Sequence, residues 1–308
     1  MNYYPFFRGK QYELICLREN SQLIARNGFT PIIEPVKEVA AGLVRTIEAL
    51  KKHQARFLIV ANPSVGHHAS ALPAEFVRDV ERALDGYAHG GWICQIQEPE
   101  DLDIAINWLR DVPNLSLLHH GDLPAKDVLE AIGNQGGMDR AHVFSVKCGI
   151  RYRSAFSSNE KIILVDGFQK KKNADYPDVE IFSELPLTFR DLGATGFGDY
   201  LIVGNEYSDG GGAAYAVAIH LTYADADDDG VIYVRHFKSD TNDTPTDPAG
   251  KFREALAKLV KYCGGQDSKI PVTSAIKEFQ RLHEIGHFPG LGYVKKLSMQ
   301  HHLEIIGG

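Results

Sequence analysis

The sequence predicts an α/β protein built as a (β/α)8 barrel of the TIM type, with an irregular second half, a β-hairpin after the eighth strand and C-terminal helices. Three observations lead there. Short, continuous apolar runs recur along the chain, and helical patterns separate the first five of them. Apolar runs without polar alternation belong to strands buried on both faces, which implies a parallel sheet. The length of 308 residues also matches one such barrel. A doubly wound open sheet is the rival architecture, weakened because no G-x-G-x-x-G follows the first run.

The elements follow in order. Residues 11–27 have apolar side chains at helical spacing, with Gly28 as C-cap, and the strand-like run 31–36 comes next. An amphipathic helix over 39–54 leads to a strand at 57–62. The helix at 72–84 carries Pro73 in its first turn and precedes a strand at 92–97. Asp101 is placed to cap a helix over 101–110, which leads to 116–120. A helix at 125–133 leads to 142–148, and strands at 161–168, 199–204 and 215–223 complete the eight. Residues 181–192 suggest only a short or irregular helix. The connection 205–215 leaves no room for one. After the eighth strand, ADADDDG followed by VIYVRHF predicts a hairpin, and helices are expected over 250–262 and 271–283. The expectation is a single domain over 1–308: residues 1–30 lead into the first strand, and 224–308 pack on the barrel.

Bulk properties narrow the function. No apolar run nears the roughly 18 residues that span a bilayer, and MNYYPFFRGKQ lacks a signal-peptide layout, so a cytoplasmic protein without a membrane partner is expected. A formal net charge of −7 weighs against nucleic acid as the partner. Cys16, Cys94, Cys148 and Cys263 show no CxxC spacing, and Cys94 and Cys148 lie within apolar runs as buried thiols.

In a parallel barrel, chemistry collects where strands exit into the βα loops. The exits read Glu34, Asn62, Gln95 or Gln97, His119 with His120 and Asp122, Lys147, Asp166, Asn205 with Glu206, and His220. Nearly every strand leaves through a polar or ionisable residue. Glu34, His119, Lys147 and Asp166 are the candidate catalytic groups: two carboxylates and an imidazole for acid–base work, and a lysine for a substrate anion. His119 and His120 are adjacent, so at most one enters the barrel mouth. Asn62, the lysines Lys170, Lys171 and Lys172, and the glycines Gly210, Gly211 and Gly212 are the candidate groups for a small anionic ligand. The bland alternative is that these side chains form salt bridges and turns.

Asp225, Asp227, Asp229 and Gly230 open like a calcium loop. The twelfth position is His236 rather than glutamate, and the flanks are strand-like, so an EF-hand is rejected. The pairs His67–His68 and His301–His302 have no partners at metal-ligand spacing and read as surface residues. No metal site is assigned, and no cofactor is named.

The stretch YYPFFRGKQYELICLRE followed by TPIIEPV resembles the opening of the beta protein family, named after a phage protein. The matching features are Tyr4–Pro5, Lys10 with Glu13, and the run from Pro31 to Glu34. DGFQKKKNADY, FGDYLIVGNEYSDGGGAAYAVAIHLTY and MQHHLE are similar to a bacterial branch of it. The resemblance implies a barrel-like fold and a role in phage–host conflict or defence, as a subunit, sensor or interaction module beside a protein encoded nearby. It implies no reaction and no catalytic residue. The alternative is an enzyme acting on a small anionic or phosphorylated substrate at the loop face, with or without a divalent metal.

Overall fold

A computed structural model describes residues 2–112, 114–133, 140–210 and 215–308. The strands in it are β1 (Phe6–Arg8), β2 (Ile32–Glu34), β3 (Phe57–Val60), β4 (Gly90–Ile96), β5 (Ser116–His119), β6 (Ala141–Ser145), β7 (Glu160–Val165), β8 (Val179–Ser183), β9 (Gly196–Asp199), β10 (Ala218–Asp225) and β11 (Val231–Lys238). The chain divides into two compact units, one of residues 1–165 and 188–199, the other of residues 166–187 and 200–308. Among the described residues, no helix is long and apolar enough to cross a membrane.

In the first unit, eight strands form one parallel sheet in the order β1-β2-β3-β4-β5-β6-β7-β9. The sheet closes through the residues just ahead of β1. Tyr3 bridges Phe197 in parallel, the Tyr4 amide donates to the Phe197 carbonyl at 2.8 Å, and the Phe197 amide donates to the Asn2 carbonyl at 3.0 Å. Glycine makes this seam feasible. A Cβ on Gly196 would collide with the Asn2 carbonyl, and one on Gly198 with the Tyr4 carbonyl. Tyr3, Phe29 and Phe197 pack beside the seam, with ring centroids about 5 Å apart, and the Tyr3 hydroxyl donates to Asp199 Oδ1 at 2.8 Å. Strands β2 to β7 bury nearly all their side chains, as continuous apolar runs require.

The barrel therefore starts and ends one strand earlier than the apolar runs suggest. The six runs from 31–36 to 161–168 are β2 to β7. The expected seventh strand, 199–204, begins where β9 ends, and Leu201–Val203 is a turn of 3-10 helix. The expected eighth, 215–223, overlaps β10, which belongs to the second unit. Two physical facts explain the shift. β1 is only three residues long, and β9 is half glycine, so neither has a strand's usual β-branched signature.

The helices fall close to their expected places. Residues 11–27 form Gln11–Glu19 and Ser21–Arg26, and Gly28 follows with φ +65°. Ala41–Lys52, Ala74–Leu84, Pro99–Asp111 and Ala125–Ile132 follow β2 to β5 in turn. Asp101 is not the N-cap of its helix. Glu98 holds that position, and the Asp101 carboxylate returns to the Glu98 amide in a capping box.

The second unit has an antiparallel sheet in the order β10-β11-β8. β10 and β11 form the expected hairpin, paired from Asp225↔Val231 to Ala218↔Lys238. Helices Pro248–Cys263, Ser274–Glu284 and Leu291–Gly307 supply its apolar core with Phe252, Leu256, Leu259, Phe279, Leu282 and Leu297 against Ile219 and Leu221. Two expectations are corrected here. Residues 181–192, expected as a short or irregular helix, hold the one-turn helix Leu185–Thr188, but their first three residues belong to β8. His301 and His302 are not surface residues. Both are fully buried, with His301 Nε2 donating to the Thr222 carbonyl at 2.8 Å and His302 Nδ1 lying 2.9 Å from Thr222 Oγ1.

Candidate functional site

The C-terminal ends of the first barrel strands carry a continuous polar network. Glu34 closes β2 and is 0% exposed. A buried carboxylate is costly unless it is paired with a cation and hydrogen-bonded. Glu34 meets that condition. Oε2 pairs with Arg8 Nη1 at 3.1 Å, and Oε1 accepts from the Ser64 amide at 2.7 Å, the Ser64 hydroxyl at 2.9 Å and Gln95 Nε2 at 3.1 Å. Arg8 ends β1 directly opposite Glu34 in the parallel register. Gln95 lies on β4, and β3 separates β4 from β2. Side chains on alternate strands meet this way when both point to the barrel interior.

Asn62, just past β3, ties this layer to its frame. Its Nδ2 donates to the Gln95 carbonyl and to Asp101 Oδ1, both at 2.9 Å, and its Oδ1 accepts from the Gln95 amide at 2.8 Å. Asn62 is buried and fully engaged, so its role is positioning.

The network ends on His120. Both N–H bonds of the Gln95 amide are committed to acceptors, Glu34 Oε1 at 3.1 Å and the Asn62 carbonyl at 3.2 Å. That fixes the amide orientation and turns Gln95 Oε1 toward His120 Nε2, 3.0 Å away. Because Oε1 only accepts, Nε2 must carry a proton. Burial lowers the His120 pKa, opposed by the carboxylates Asp122, Asp101 and Glu34 and assisted by Lys147. A neutral ring with Nε2–H leaves its lone pair on Nδ1, which has no hydrogen-bond partner among the described residues. The ring is partly exposed. Chemically, this is an oriented proton acceptor supported by an amide, a carboxylate and a guanidinium in series.

His119 takes the opposite direction, as alternation along a strand requires. It is 0% exposed and packs against Phe144 and Phe156 at 4.8 and 4.5 Å between ring centroids. Its Nδ1 lies 3.1 Å from the Tyr152 hydroxyl and its Nε2 2.9 Å from His142 Nδ1. Burial and the neighbouring His142 hold its pKa well below the ordinary range, and burial takes His142 down to about 3. Of the adjacent pair, His120 joins Glu34, while His119 joins the aromatic packing. Lys147 is exposed on the loop after β6, with Nζ 3.9 Å from Asp122 Oδ1.

The remaining candidates lie in the second unit. Asp166 is exposed, and its carboxylate accepts from the Phe168 amide at 3.1 Å and the Asn205 amide at 2.8 Å. Lys170 pairs with Glu206 at 3.2 Å and Lys171 with Glu180 at 2.5 Å, while Lys172 is exposed. Gly210 is exposed, and Gly211 and Gly212 lie outside the described residues. The same unit holds a second imidazole cluster. His220 Nδ1 lies 2.6 Å from His236 Nδ1, His236 Nε2 faces Glu180 Oε1 at 3.2 Å, and Tyr176 stacks on His236 at 4.5 Å. Burial brings His236 down to about 4 against the pull of Glu180. At the hairpin tip, Asp225 is engaged by Lys269 Nζ at 2.8 Å rather than set out as a calcium ligand.

Sequence reasoning missed Arg8 and Ser64 as members of the barrel network. Arg8 was recoverable, because Phe6-Phe7-Arg8-Gly9 has the same shape as Ile32-Ile33-Glu34-Pro35: two apolar residues, a charge, then a chain-turning residue. Among the described residues, no group of three or more His, Cys, Asp or Glu is arranged to hold a metal ion. No family model matches the chain, and no curated protein does.

Proposed function

We propose that the first unit is an acid–base catalyst, taking a proton from a small molecule at the C-terminal mouth of its barrel, with His120 as the proton acceptor. The observation that carries this reading is the tautomer. Gln95 is locked by two acceptors and so presents its carbonyl to His120 Nε2, which leaves Nδ1 as the basic atom. Glu34, buried and paired with Arg8, acts through Gln95 as a positioning residue. Once Nδ1 takes a proton, the fields of Asp122, Asp101 and Glu34 stabilise the imidazolium. Lys147, exposed near Asp122, is the cation for an anionic group on the substrate.

The test is consumption of small molecules from a cell extract, followed by mass spectrometry, for the intact chain and for His120→Gln. A positioned general base contributes roughly 10²–10⁴-fold to rate, so the variant should lose turnover by about that factor. Consumption of a molecule at equal rates by both proteins would end this reading.

A second reading has its own observation. Val146, on the loop after β6, and Ile150, which begins the short helix Ile150–Ser154, are 57% and 63% exposed, apolar side chains of the kind that seat a protein partner. This supports the interaction module in phage–host conflict that the family resemblance implies. Under that reading Val146→Glu with Ile150→Glu abolishes co-purification of a partner while His120→Gln leaves it intact.

A further inference from the structure

A cavity whose lining does not include His120 lies at the loops after β1 and β2, the helices that follow them, and Phe76 of the helix after β3. Its volume is about 350 Å³, within the range of small-molecule sites. The lining combines two chemistries. Leu14, Leu43 and Phe76 give it apolar walls, and Arg18, Lys37 and Arg45 bring three cations to it. The Arg18 guanidinium is held in place, with Nη1 donating to the Gly42 carbonyl at 3.4 Å and to Thr46 Oγ1 at 3.3 Å. None of the three cations is paired with a carboxylate among the described residues. Glu38, the one carboxylate in the lining, is directed to His67 at 3.9 Å.

Cations gathered around one apolar pocket repel one another, so an anion seated among them relieves that cost. Burial and the nearby charge of Arg45 lower the Arg18 pKa, against the opposing charge of Glu19. Guanidinium groups suit the planar oxygens of a carboxylate or the faces of a phosphate. The walls set the rest of the ligand: an apolar or aromatic body beside the charged head.

We infer that the cavity lined by Arg18, Lys37, Arg45, Leu14, Leu43 and Phe76 binds a small organic anion with an apolar body, headed by a phosphate or a carboxylate. The site is independent of His120, so its fate does not depend on the proton-transfer reading.

The experiment is calorimetric titration of the full chain with phenyl phosphate and, in a parallel arm, with benzoate. Inorganic phosphate and benzyl alcohol report the head and the body separately. The expected result is one saturable site for phenyl phosphate, benzoate or both. Inorganic phosphate and benzyl alcohol should each bind at least about tenfold more weakly, since each lacks half of the contacts. Arg45→Glu and Lys37→Glu, both at exposed positions that the fold tolerates, should each weaken binding about tenfold or more. His120→Gln should leave it unchanged. The inference is overturned if neither aromatic anion binds saturably, if both charge reversals leave Kd unchanged, or if His120→Gln abolishes binding that Arg45→Glu retains.

Discussion

The exits of β2 and β7 look alike in sequence and behave differently in the structure. Each is an apolar run that stops at an acid, IIE at Glu34 and ILVD at Asp166. Glu34 is sealed inside the barrel, where four hydrogen bonds from Arg8, Ser64 and Gln95 hold its carboxylate. Asp166 is exposed, and it holds the backbone amides of Phe168 and Asn205 in the second unit. One acid orients a buried hydrogen-bonded network, and the other shapes a loop. The difference lies in what opposes each strand end. Arg8 sits directly across from Glu34 in the neighbouring strand, whereas Asp166 lies beyond the last paired residue of β7, Val165.

Removing each acid tests this contrast. Glu34→Ala leaves the nearly buried Arg8 without its carboxylate and empties the centre of a hydrogen-bonded layer. Breaking such a buried pair costs about 3–5 kcal/mol, so urea unfolding should show a loss of that size. A loss under about 1 kcal/mol would mean the pair is not enclosed as described.

Enclosed and exposed groups also separate by pH. His142 in the first unit and His301 in the second are buried, with pKa values brought down to about 3 and about 4, chiefly by burial. The folded state keeps both rings neutral, while the unfolded chain protonates them near the ordinary histidine value of about 6.5. The unfolded state therefore binds more protons as pH falls, and stability is lost from about pH 6.5 down toward the folded-state values. At pH 5 each such ring costs about 2 kcal/mol relative to pH 7. Denaturant midpoints should fall steadily across that window, and His142→Phe should flatten the slope. A flat profile would show these rings to be accessible to solvent protons.

Asp166→Asn retains an oxygen acceptor, so it should cost about 1 kcal/mol or less by the same unfolding assay, well below Glu34→Ala. Lys170→Ser, which removes an exposed pair with Glu206, should change stability by under about 0.5 kcal/mol.

Much of this was legible in the sequence, for identifiable reasons. β2 to β7 are apolar without alternation, so their number, order and polar exits could be read directly. β1 and β9 could not, because three residues and a pair of seam glycines carry little strand signal. The residue types at the site were readable, but their directions were not. Adjacent His119 and His120 were known to diverge, and only the packing of Phe144 and Phe156 around His119 decides which ring meets Gln95. Arg8 left a signal in the pattern that FFRG shares with IIEP, whereas Ser64, on the loop after β3, became visible only through its hydrogen bonds to Glu34.

Everything proposed for the barrel mouth depends on Gln95 fixing His120 as a neutral ring with Nε2 protonated and Nδ1 bare. Long-range ¹H–¹⁵N correlation spectra of ¹⁵N-histidine-labelled protein at pH 7, assigned with His120→Gln, measure this directly. A pyrrole-type shift at Nε2 and a pyridine-type shift at Nδ1, persisting below pH 6.5, are expected. A protonated Nδ1 at pH 7, as the other tautomer or as the imidazolium, would contradict that expectation.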